Sequence, residues 1–329
     1  MAGADELAAT LRGGSRRALA RAVTLVESTR PDHRAEAERL IEAILPATGG
    51  ATRIGITGPP GAGKSTFIER FGLDGIARGR KIAVLAVDPG SKRGGGAILG
   101  DKTRMTELAR VPAAFIRPSS AGAQSGGVAR RTREAILVCE AAGFDTVLVE
   151  TVGAGQSETT VAEMVDMFLL ILPPAAGDEL QGIKRGIIEL ADLILVNKAD
   201  GALKELASRT AADYQHALRL LHPASPGWTP EVQIFSALEG MGIPEAWATI
   251  EHFRATLGDA AIAARRAGQA KAWLQAELSD SLLALLAGHP RLRDRLPALE
   301  AEVAAGRLAP GAAARLLLAE FLGNRPPAP

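Results

Sequence analysis

The feature that most limits how this chain can fold is a glycine-rich octapeptide. Residues 58–65 read Gly-Pro-Pro-Gly-Ala-Gly-Lys-Ser and match the pattern G-x-x-x-x-G-K-[S/T] at every fixed position. Residues 54–57 before it have the apolar, β-branched character of a strand, and residues 66–71 after it are predicted to open a helix. A strand, a glycine loop and a helix in this order predict an α/β fold of the P-loop NTPase type.

The residue types in this loop fit the chemistry of phosphate binding. Glycine permits backbone conformations that other residues avoid, so the loop amides and the helix N-terminus can face phosphate oxygens. Lys64 is predicted to reach the β- and γ-phosphates as a catalytic group, and the hydroxyl of Ser65 to bind Mg²⁺. The predicted nucleotide contacts in this segment are Gly58, Gly61, Ala62, Gly63, Lys64, Ser65 and Thr66.

The chain as a whole reads in three parts. Between residues 51 and 250, short strand-like runs alternate with helix-length segments, at 54–57, 82–87, 146–149, 168–172, 193–196 and 232–235. This alternation predicts a mostly parallel central sheet, with helices on both faces and functional loops at the carboxyl ends of the strands. Residues 1–50 predict an N-terminal helical extension. Residues 251–329 predict helices whose leucine stripes pack on the main domain or against another subunit.

A second motif predicts which base the nucleotide carries. Asn197-Lys198-Ala199-Asp200 follows a predicted strand, and a carboxylate at Asp200 can accept hydrogen bonds from the ring N–H and the exocyclic amine of guanine. Asn197 can contact the base or tie this loop to the phosphate loop, and the stem of Lys198 can cover the ring. Further base contacts are predicted at Ser236, Ala237 and Leu238, where Ala237 offers its backbone amide. The sequence therefore predicts GTP and GDP as ligands.

Two acidic residues at the ends of predicted strands, Asp88 and Glu150, and a third that lies between them in the sequence, Asp101, are candidate ligands for the magnesium ion. Glu150 is the first choice, followed by Asp88 and then Asp101, because Mg²⁺ is held by few carboxylates together with phosphate oxygens and water. Two glycine-containing loops, at 89–96 and 151–158, have the composition of segments that reorder with the γ-phosphate. In the second loop, the amide of Gly153 is predicted to hold the γ-phosphate, and Gln156 to orient the attacking water.

The amino-acid composition indicates which partners and which cellular location to expect. Lys and Arg number 38 and Asp and Glu 37, a near-balance that gives no general reason to expect nucleic acid or membrane as a partner. No apolar run is long enough for a membrane span, and the first ten residues lack a signal pattern, so a cytoplasmic location is expected. The single cysteine, Cys139, excludes an internal disulfide and is predicted to pack in the core.

Several of these segments together resemble the MeaB (MMAA) family, the G-protein chaperones of methylmalonyl-CoA mutase once described as transport-system kinases. The resemblance covers residues 53–247 and is carried by the segments 58–65, 87–89, 98–105, 150–158, 177–184 and 197–200. The strings Ile-Leu-Gly-Asp-Lys-Thr-Arg-Met at 98–105 and Gly-Asp-Glu-Leu-Gln-Gly-Ile-Lys at 177–184 are its most specific parts. The chain departs from the family after Asp88-Pro89, where Gly90 and Lys92 stand in a stretch that usually carries hydroxyl residues.

The resemblance implies a homodimer, joined through a C-terminal helical dimerisation arm, that docks on a cobalamin-dependent acyl-CoA mutase. In such proteins GTP binding and hydrolysis gate the delivery of adenosylcobalamin from an adenosyltransferase and help release inactivated cofactor. The resemblance also assigns Asp88, Asp101 and Glu150 to the magnesium site. It makes residues 177–184 a third switch that senses the partner, with Lys184 placed to support hydrolysis.

Two other functions fit a phosphate loop of this kind. A GTPase that inserts nickel would need soft metal ligands, whereas the five histidines are scattered and only one cysteine is present. A small-molecule kinase would need an acceptor pocket with a base near the acceptor hydroxyl, and no segment outside the switch loops has that character.

Overall fold

A computed structural model describes residues 2–87, 105–118, 125–151, 157–174 and 185–322. The strands in these ranges are β1 Thr52–Thr57, β2 Ile82–Val87, β3 Ala114–Arg117, β4 Thr146–Thr151, β5 Met167–Leu172, β6 Leu193–Val196 and β7 Glu231–Ile234. The helices are α1 Ala2–Arg12, α2 Arg16–Glu27, α3 Pro31–Ile44, α4 Lys64–Ala77, α5 Thr106–Arg110, α6 Ser125–Ala141, α7 Ser157–Ala162, α8 Arg185–Leu190, α9 Lys204–Leu218, α10 Ile243–Gly288, α11 Pro290–Ala304 and α12 Pro310–Phe321.

The seven strands form one sheet in the order β3-β2-β4-β1-β5-β6-β7, and every neighbouring pair is parallel. Ile54 in β1 pairs with Leu148 in β4 on one side and with Met167 in β5 on the other. The strands β1, β4 and β5 are buried along their whole length, as expected for a parallel sheet covered on both faces. The predicted α/β fold with a mostly parallel sheet is confirmed.

One strand was absent from the sequence prediction. β3 has only four residues, Ala-Phe-Ile-Arg, and lies at the edge of the sheet between Pro112 and Pro118. Its side chains are alternately buried and half-buried, so it lacks the continuous apolar run that marks the inner strands.

Aromatic side chains fill the core beneath the phosphate loop. Phe67 and Phe71 on α4 stack with ring centroids 5.1 Å apart, and Phe71 stacks on Trp247 of α10 at 4.0 Å with an interplanar angle of 6°. The indole Nε1 of Trp247 also donates a hydrogen bond to the carbonyl oxygen of Phe71, at 3.1 Å. A Cβ atom on Gly75 would lie 2.5 Å from the Trp247 ring, so the close approach of α4 and α10 requires glycine there.

A buried polar network holds the amino edge of the sheet. Asp166, which directly precedes β5, accepts two hydrogen bonds from the Arg266 guanidinium at 2.6 and 2.7 Å and a third from the amide of Arg53 at 2.9 Å. Arg266 also donates to the carbonyl oxygens of Gly49 and Ala51. The Asp166 side chain is 1% exposed, and the Arg53 side chain pairs with Glu140, also buried. We call Asp166, Arg266 and the backbone groups that they bind the amino-edge clamp.

The N-terminal helices pack on α6 and on the β3 side of the sheet. Arg34 of α3 forms a two-pronged ion pair with Glu134 of α6 at 2.6 and 2.8 Å. Glu27 at the end of α2 pairs with Arg117 of β3. Cys139 of α6 is fully buried, as predicted, and burial raises the pKa of its thiol far above the usual range.

The chain divides into two compact units, Met1–Gln269 and Ala270–Pro329. Helix α10 includes a non-helical residue, Gly258, with φ 73° and ψ 164°. Within the second unit, α11 and α12 are joined by an ion pair between Arg295 and Glu320 at 2.9 Å. Among the described residues, no helix is long and apolar enough to cross a bilayer. The boundaries at residues 50 and 250 and the cytoplasmic location stay predictions.

Candidate nucleotide-binding site

The phosphate loop connects β1 to α4 at the carboxyl edge of the sheet, and its geometry depends on glycine. Gly58, Gly61 and Gly63 have φ values of 151°, 80° and 93°. A Cβ atom on Gly58 would lie 2.0 Å from the carbonyl oxygen of Ile171, and one on Gly63 would lie 2.2 Å from Nδ2 of Asn197. Two of the three predicted loop glycines are therefore fixed both by backbone conformation and by space.

Lys64 begins α4 and its side chain folds back over the loop. Its Nζ donates hydrogen bonds to the carbonyl oxygens of Gly58 at 2.7 Å and of Pro59 at 3.3 Å, and the residue is 8% exposed. An ammonium group held at this position lies beside the loop amides at the N-terminus of a helix. This is the arrangement in which a positive charge, loop amides and the helix dipole act on the same phosphate oxygens.

The side-chain oxygens of Ser65 and Glu150, both predicted to bind magnesium, lie close together beside the phosphate loop. The Ser65 hydroxyl donates to Oε1 of Glu150 at 3.4 Å. Glu150 lies on β4 beside Ile56 of β1, and it is 6% exposed. A hydroxyl and a buried carboxylate next to a phosphate loop match the hard oxygen donors that Mg²⁺ prefers, so the described residues fit the ion.

Asn197 joins three loops at the site. Its Nδ2 donates to the carbonyl oxygen of Ala62 in the phosphate loop at 2.7 Å. Its Oδ1 accepts from the amide of Lys198 at 2.7 Å and from the amide of Ala237 at 3.0 Å. Of the two roles open to Asn197, the structure has the tie to the phosphate loop. The Ala237 amide, predicted from the sequence to contact the base, donates to Asn197 in the structure.

The two loops that the sequence predicts to contact the base lie side by side and are joined by hydrogen bonds. The Ser236 hydroxyl donates to Oδ2 of Asp200 and accepts from the amide of Glu239 at 3.1 Å, so the Asp200 carboxylate has a fixed orientation. Lys198 has φ 59°, a left-handed conformation that is uncommon for a non-glycine residue and is found often at functional sites. Lys198 is exposed, and Leu238 is 73% exposed, so both are accessible from the side on which a base would lie.

Five of the predicted site residues lie outside the described residues: Asp88, Asp101, Gly153, Gln156 and Lys184. The structure also adds a contact that sequence reasoning missed. Thr57 and Thr151, the last residues of β1 and β4, share a buried hydrogen bond at 2.7 Å directly below the phosphate loop. The sequence signal that could have predicted this contact is a threonine at the end of each of two apolar strands.

The fold and the site together define a P-loop GTPase. A phosphate loop, a buried acid beside its serine and a base-reading Asn-Lys-x-Asp loop all lie at the carboxyl edge of one parallel sheet. Residues 19–291 match the family model described as "Methylmalonyl Co-A mutase-associated GTPase MeaB", and the chain belongs to this family. The resemblance inferred from the motifs is thereby confirmed, and the chain is a GTP-hydrolysing enzyme.

Similarity to individual proteins extends over nearly the whole chain. A "Putative GTPase" of Caulobacter vibrioides is 54% identical over 96% of this chain and 97% of its own length. The "Methylmalonic aciduria type A homolog, mitochondrial" of Mus musculus is 48% identical over 96% of this chain and 79% of its own length. A crystal structure described as "LAO/AO transport system kinase" superposes with a TM-score of 0.77 at 40% identity and covers 98% of both chains.

Proposed function

We propose that this GTPase is a chaperone of a cobalamin-dependent acyl-CoA mutase of the methylmalonyl-CoA mutase type. In this proposal, GTP binding and hydrolysis gate the delivery of adenosylcobalamin to the mutase and support its protection and reactivation. The observation that carries the proposal is the match of residues 19–291 to a family whose description names association with that mutase. An adenosyltransferase is the proposed source of the cofactor.

The chemistry begins with the residues that hold the triphosphate. Lys64 and the loop amides bind the β- and γ-phosphates and stabilise the charge that spreads over them as water attacks in line. Ser65 and Glu150, with Asp88 and Asp101, would hold Mg²⁺, which when bound neutralises phosphate charge and orients the phosphate oxygens. Gly153 holds the γ-phosphate through its amide, and Gln156 orients the water. The products are GDP and inorganic phosphate.

Selection of guanine and control by the partner belong to separate parts of the chain. Asp200 accepts from the guanine N–H groups, supported by Ser236, while the Lys198 stem and Leu238 cover the ring and ribose side. Residues 177–184 act as a partner-sensing switch, with Lys184 supporting hydrolysis when the mutase is bound. Because the partner-sensing residues are separate from the nucleotide-binding residues, we expect GTP hydrolysis to be slow in the protein alone and faster when the mutase is bound.

The active form in this proposal is a homodimer that forms through the C-terminal helices. Support comes from the leucine stripe of α10 predicted from the sequence, of which Leu274, Leu278, Leu282 and Leu285 are 46–70% exposed. A row of four exposed leucines on one helix exceeds what a monomer usually leaves in water.

The test is GTP turnover by the purified protein, alone and with a cobalamin-dependent acyl-CoA mutase from the same source. We expect the mutase to accelerate phosphate release by at least about tenfold, since charge supplied in trans at the transition state gives about 10³–10⁵ in the best cases. Lys64→Ala should abolish turnover in both conditions, and Lys184→Ala should abolish the acceleration alone. Unchanged turnover with the mutase would contradict the client, and transfer of the γ-phosphate to a metabolite would favour a kinase.

A further inference from the structure

A cleft at the amino edge of the sheet lies at the opposite end of the strands from the nucleotide loops. It has a volume of about 210 Å³ and is lined by Thr52, Arg80, Trp247, Ile250, Glu251 and Arg254. This volume is large enough for several water molecules. The bound nucleotide does not account for the polar side chains of this cleft, because Thr52 begins the strand that ends at the phosphate loop.

Two guanidinium groups from different elements converge in the cleft, and neutral groups hold each of them on its inner side. Nη1 of Arg254 on α10 donates to Oγ1 of Thr52 at 2.6 Å, and Thr52 is 4% exposed. The guanidinium carbon of Arg80 lies 4.8 Å from the centroid of the Trp247 ring. These neutral supports fix the positions of the two cations without neutralising their charge.

The acidic partners of the two arginines lie on the solvent side. Arg80 pairs with Glu251 at 2.6 Å, and the Glu251 side chain is 51% exposed. Arg254 pairs with Asp259 at 3.6 Å, and the Asp259 side chain is fully exposed. Exposed ion pairs contribute little to stability, so an incoming anion displaces these carboxylates at small cost.

The turn that carries Arg80 adds positive charge around the cleft. Residues 78–81 read Arg-Gly-Arg-Lys, and Gly79 allows the turn because its φ is 84°. Arg78 is paired with Asp74 at 2.6 Å, whereas the Lys81 side chain is exposed. The carboxylate of Asp145 also lies at this edge and accepts from the amide of Lys81 at 2.9 Å, so an incoming anion gains the charge of the two arginines by displacing Glu251 and Asp259.

We propose that this cleft binds the phosphate group of a small metabolite between Arg80 and Arg254, with the Thr52 hydroxyl as a further contact. Guanidinium forks match the oxygens of phosphate in two-pronged hydrogen bonds. A phosphate monoester offers three terminal oxygens and nearly two charges, which two guanidiniums and a hydroxyl can satisfy together.

The same residues connect the cleft to the phosphate loop. Trp247, which supports Arg80, stacks on Phe71 and donates to its carbonyl oxygen, and Phe71 lies on the helix that begins with Lys64. Thr52, which supports Arg254, begins the strand that enters the loop from the other side. A ligand in the cleft therefore contacts β1 directly through Thr52 and reaches α4 only through Arg80 and Trp247, and we expect it to change GTP binding and turnover. Linkage applies to the affinities: the factor by which the ligand changes the affinity for the nucleotide is also the factor by which the nucleotide changes the affinity for the ligand.

The test uses the full chain saturated with GDP, so that the phosphate loop is occupied. Inorganic phosphate and glycerol 1-phosphate are titrated by calorimetry, with tryptophan fluorescence as a second signal to which Trp247 contributes beside Trp228 and Trp273. We expect saturable binding that Arg254→Gln weakens by about tenfold or more, because it removes charged hydrogen bonds to the anion. Arg209→Gln removes a highly exposed arginine from α9 and is the matched control, with unchanged binding.

A second variant gives an effect of the opposite sign. Glu251→Gln removes the carboxylate that competes for Arg80, so we expect it to tighten phosphate binding, which loss of structure would not do. The tighter of the two probes identifies whether free phosphate or a phosphate ester is the ligand. No saturable binding, equal binding by Arg254→Gln and Arg209→Gln, or equal affinity for malonate would overturn the proposal.

Discussion

At the scale of single residues, the Asn197 side chain determines how the nucleotide loops are arranged. It donates to the phosphate loop at Ala62 and accepts from the amides of Lys198 and Ala237, so one amide group holds three loops together. Because Asn197 is 3% exposed and its contacts with Ala62 and Ala237 are buried, the loops need little rearrangement to present their remaining groups to a ligand. Preorganisation of this kind lowers the entropy cost of binding.

The first prediction concerns the role of Asp200 in selecting the base. We expect Asp200→Asn to weaken GDP binding by at least about tenfold, since an amide cannot accept from both guanine donors. The same variant should gain affinity for xanthosine diphosphate, because its NH₂ group can donate to the added carbonyl oxygen. Competition binding with the three diphosphates of guanosine, xanthosine and adenosine measures both changes.

Glu239→Gln is the control for that experiment, since Glu239 is an exposed acid in the neighbouring loop. It should leave the order of the three affinities as in the unmodified protein. Unchanged discrimination in Asp200→Asn would remove the assigned role of this carboxylate.

At the scale of elements, the amino-edge clamp fixes where β5 begins and where α10 lies. We expect Asp166→Asn to lower the free energy of unfolding by about 3 kcal/mol, because it leaves the Arg266 guanidinium buried without its counter-charge. Asp259→Asn, an acid-to-amide change at a fully exposed carboxylate, should leave the urea midpoint close to that of the unmodified protein. Urea unfolding of the two variants side by side measures the difference, and equal midpoints would contradict this account of the clamp.

A comparison of the observed strands with the predicted ones shows which elements can be predicted from the sequence alone. The five inner strands and the phosphate loop were predictable because an inner parallel strand is a continuous apolar run and the loop is a contiguous motif. The edge strand β7 was also predicted, since residues 232–235 read Val-Gln-Ile-Phe and hold three apolar side chains. β3 was not, because its four residues Ala-Phe-Ile-Arg lie between Pro112 and Pro118 and include only two large apolar side chains.

Contacts between residues that are distant in sequence could not be predicted either. The clamp joins Asp166 to Arg266, 100 residues apart, and the cleft joins Thr52 to Arg254, 202 residues apart. Neither pairing leaves a local signal that periodicity or spacing can detect. The tie from Asn197 to Ala62 was foreseen as one of two possibilities because both residues belong to motifs with known positions in the fold.

At the scale of the whole molecule, the exposed leucines of α10 predict the oligomeric state. We expect a mass of 68.4 kDa in light scattering, twice the 34.2 kDa of one chain. Leu278→Glu should reduce it to the mass of the monomer, because a charge on this apolar row has to be desolvated in an interface. Ser279→Glu adds the same charge at the next position of the helix and should leave the dimer intact. A monomeric unmodified protein would contradict the proposed dimer.

The burial of Cys139 has a practical consequence. It is the single thiol of the chain, it is fully buried, and the raised pKa of its thiol keeps it in the unreactive protonated form. A cysteine introduced on the surface, for example at Ser279, is therefore the only position that a maleimide spin label modifies in the folded protein. Pulsed electron-spin spectroscopy on such a sample measures the distance between the labels on the two chains of the proposed dimer in each nucleotide state. Cys139 does not have to be replaced first.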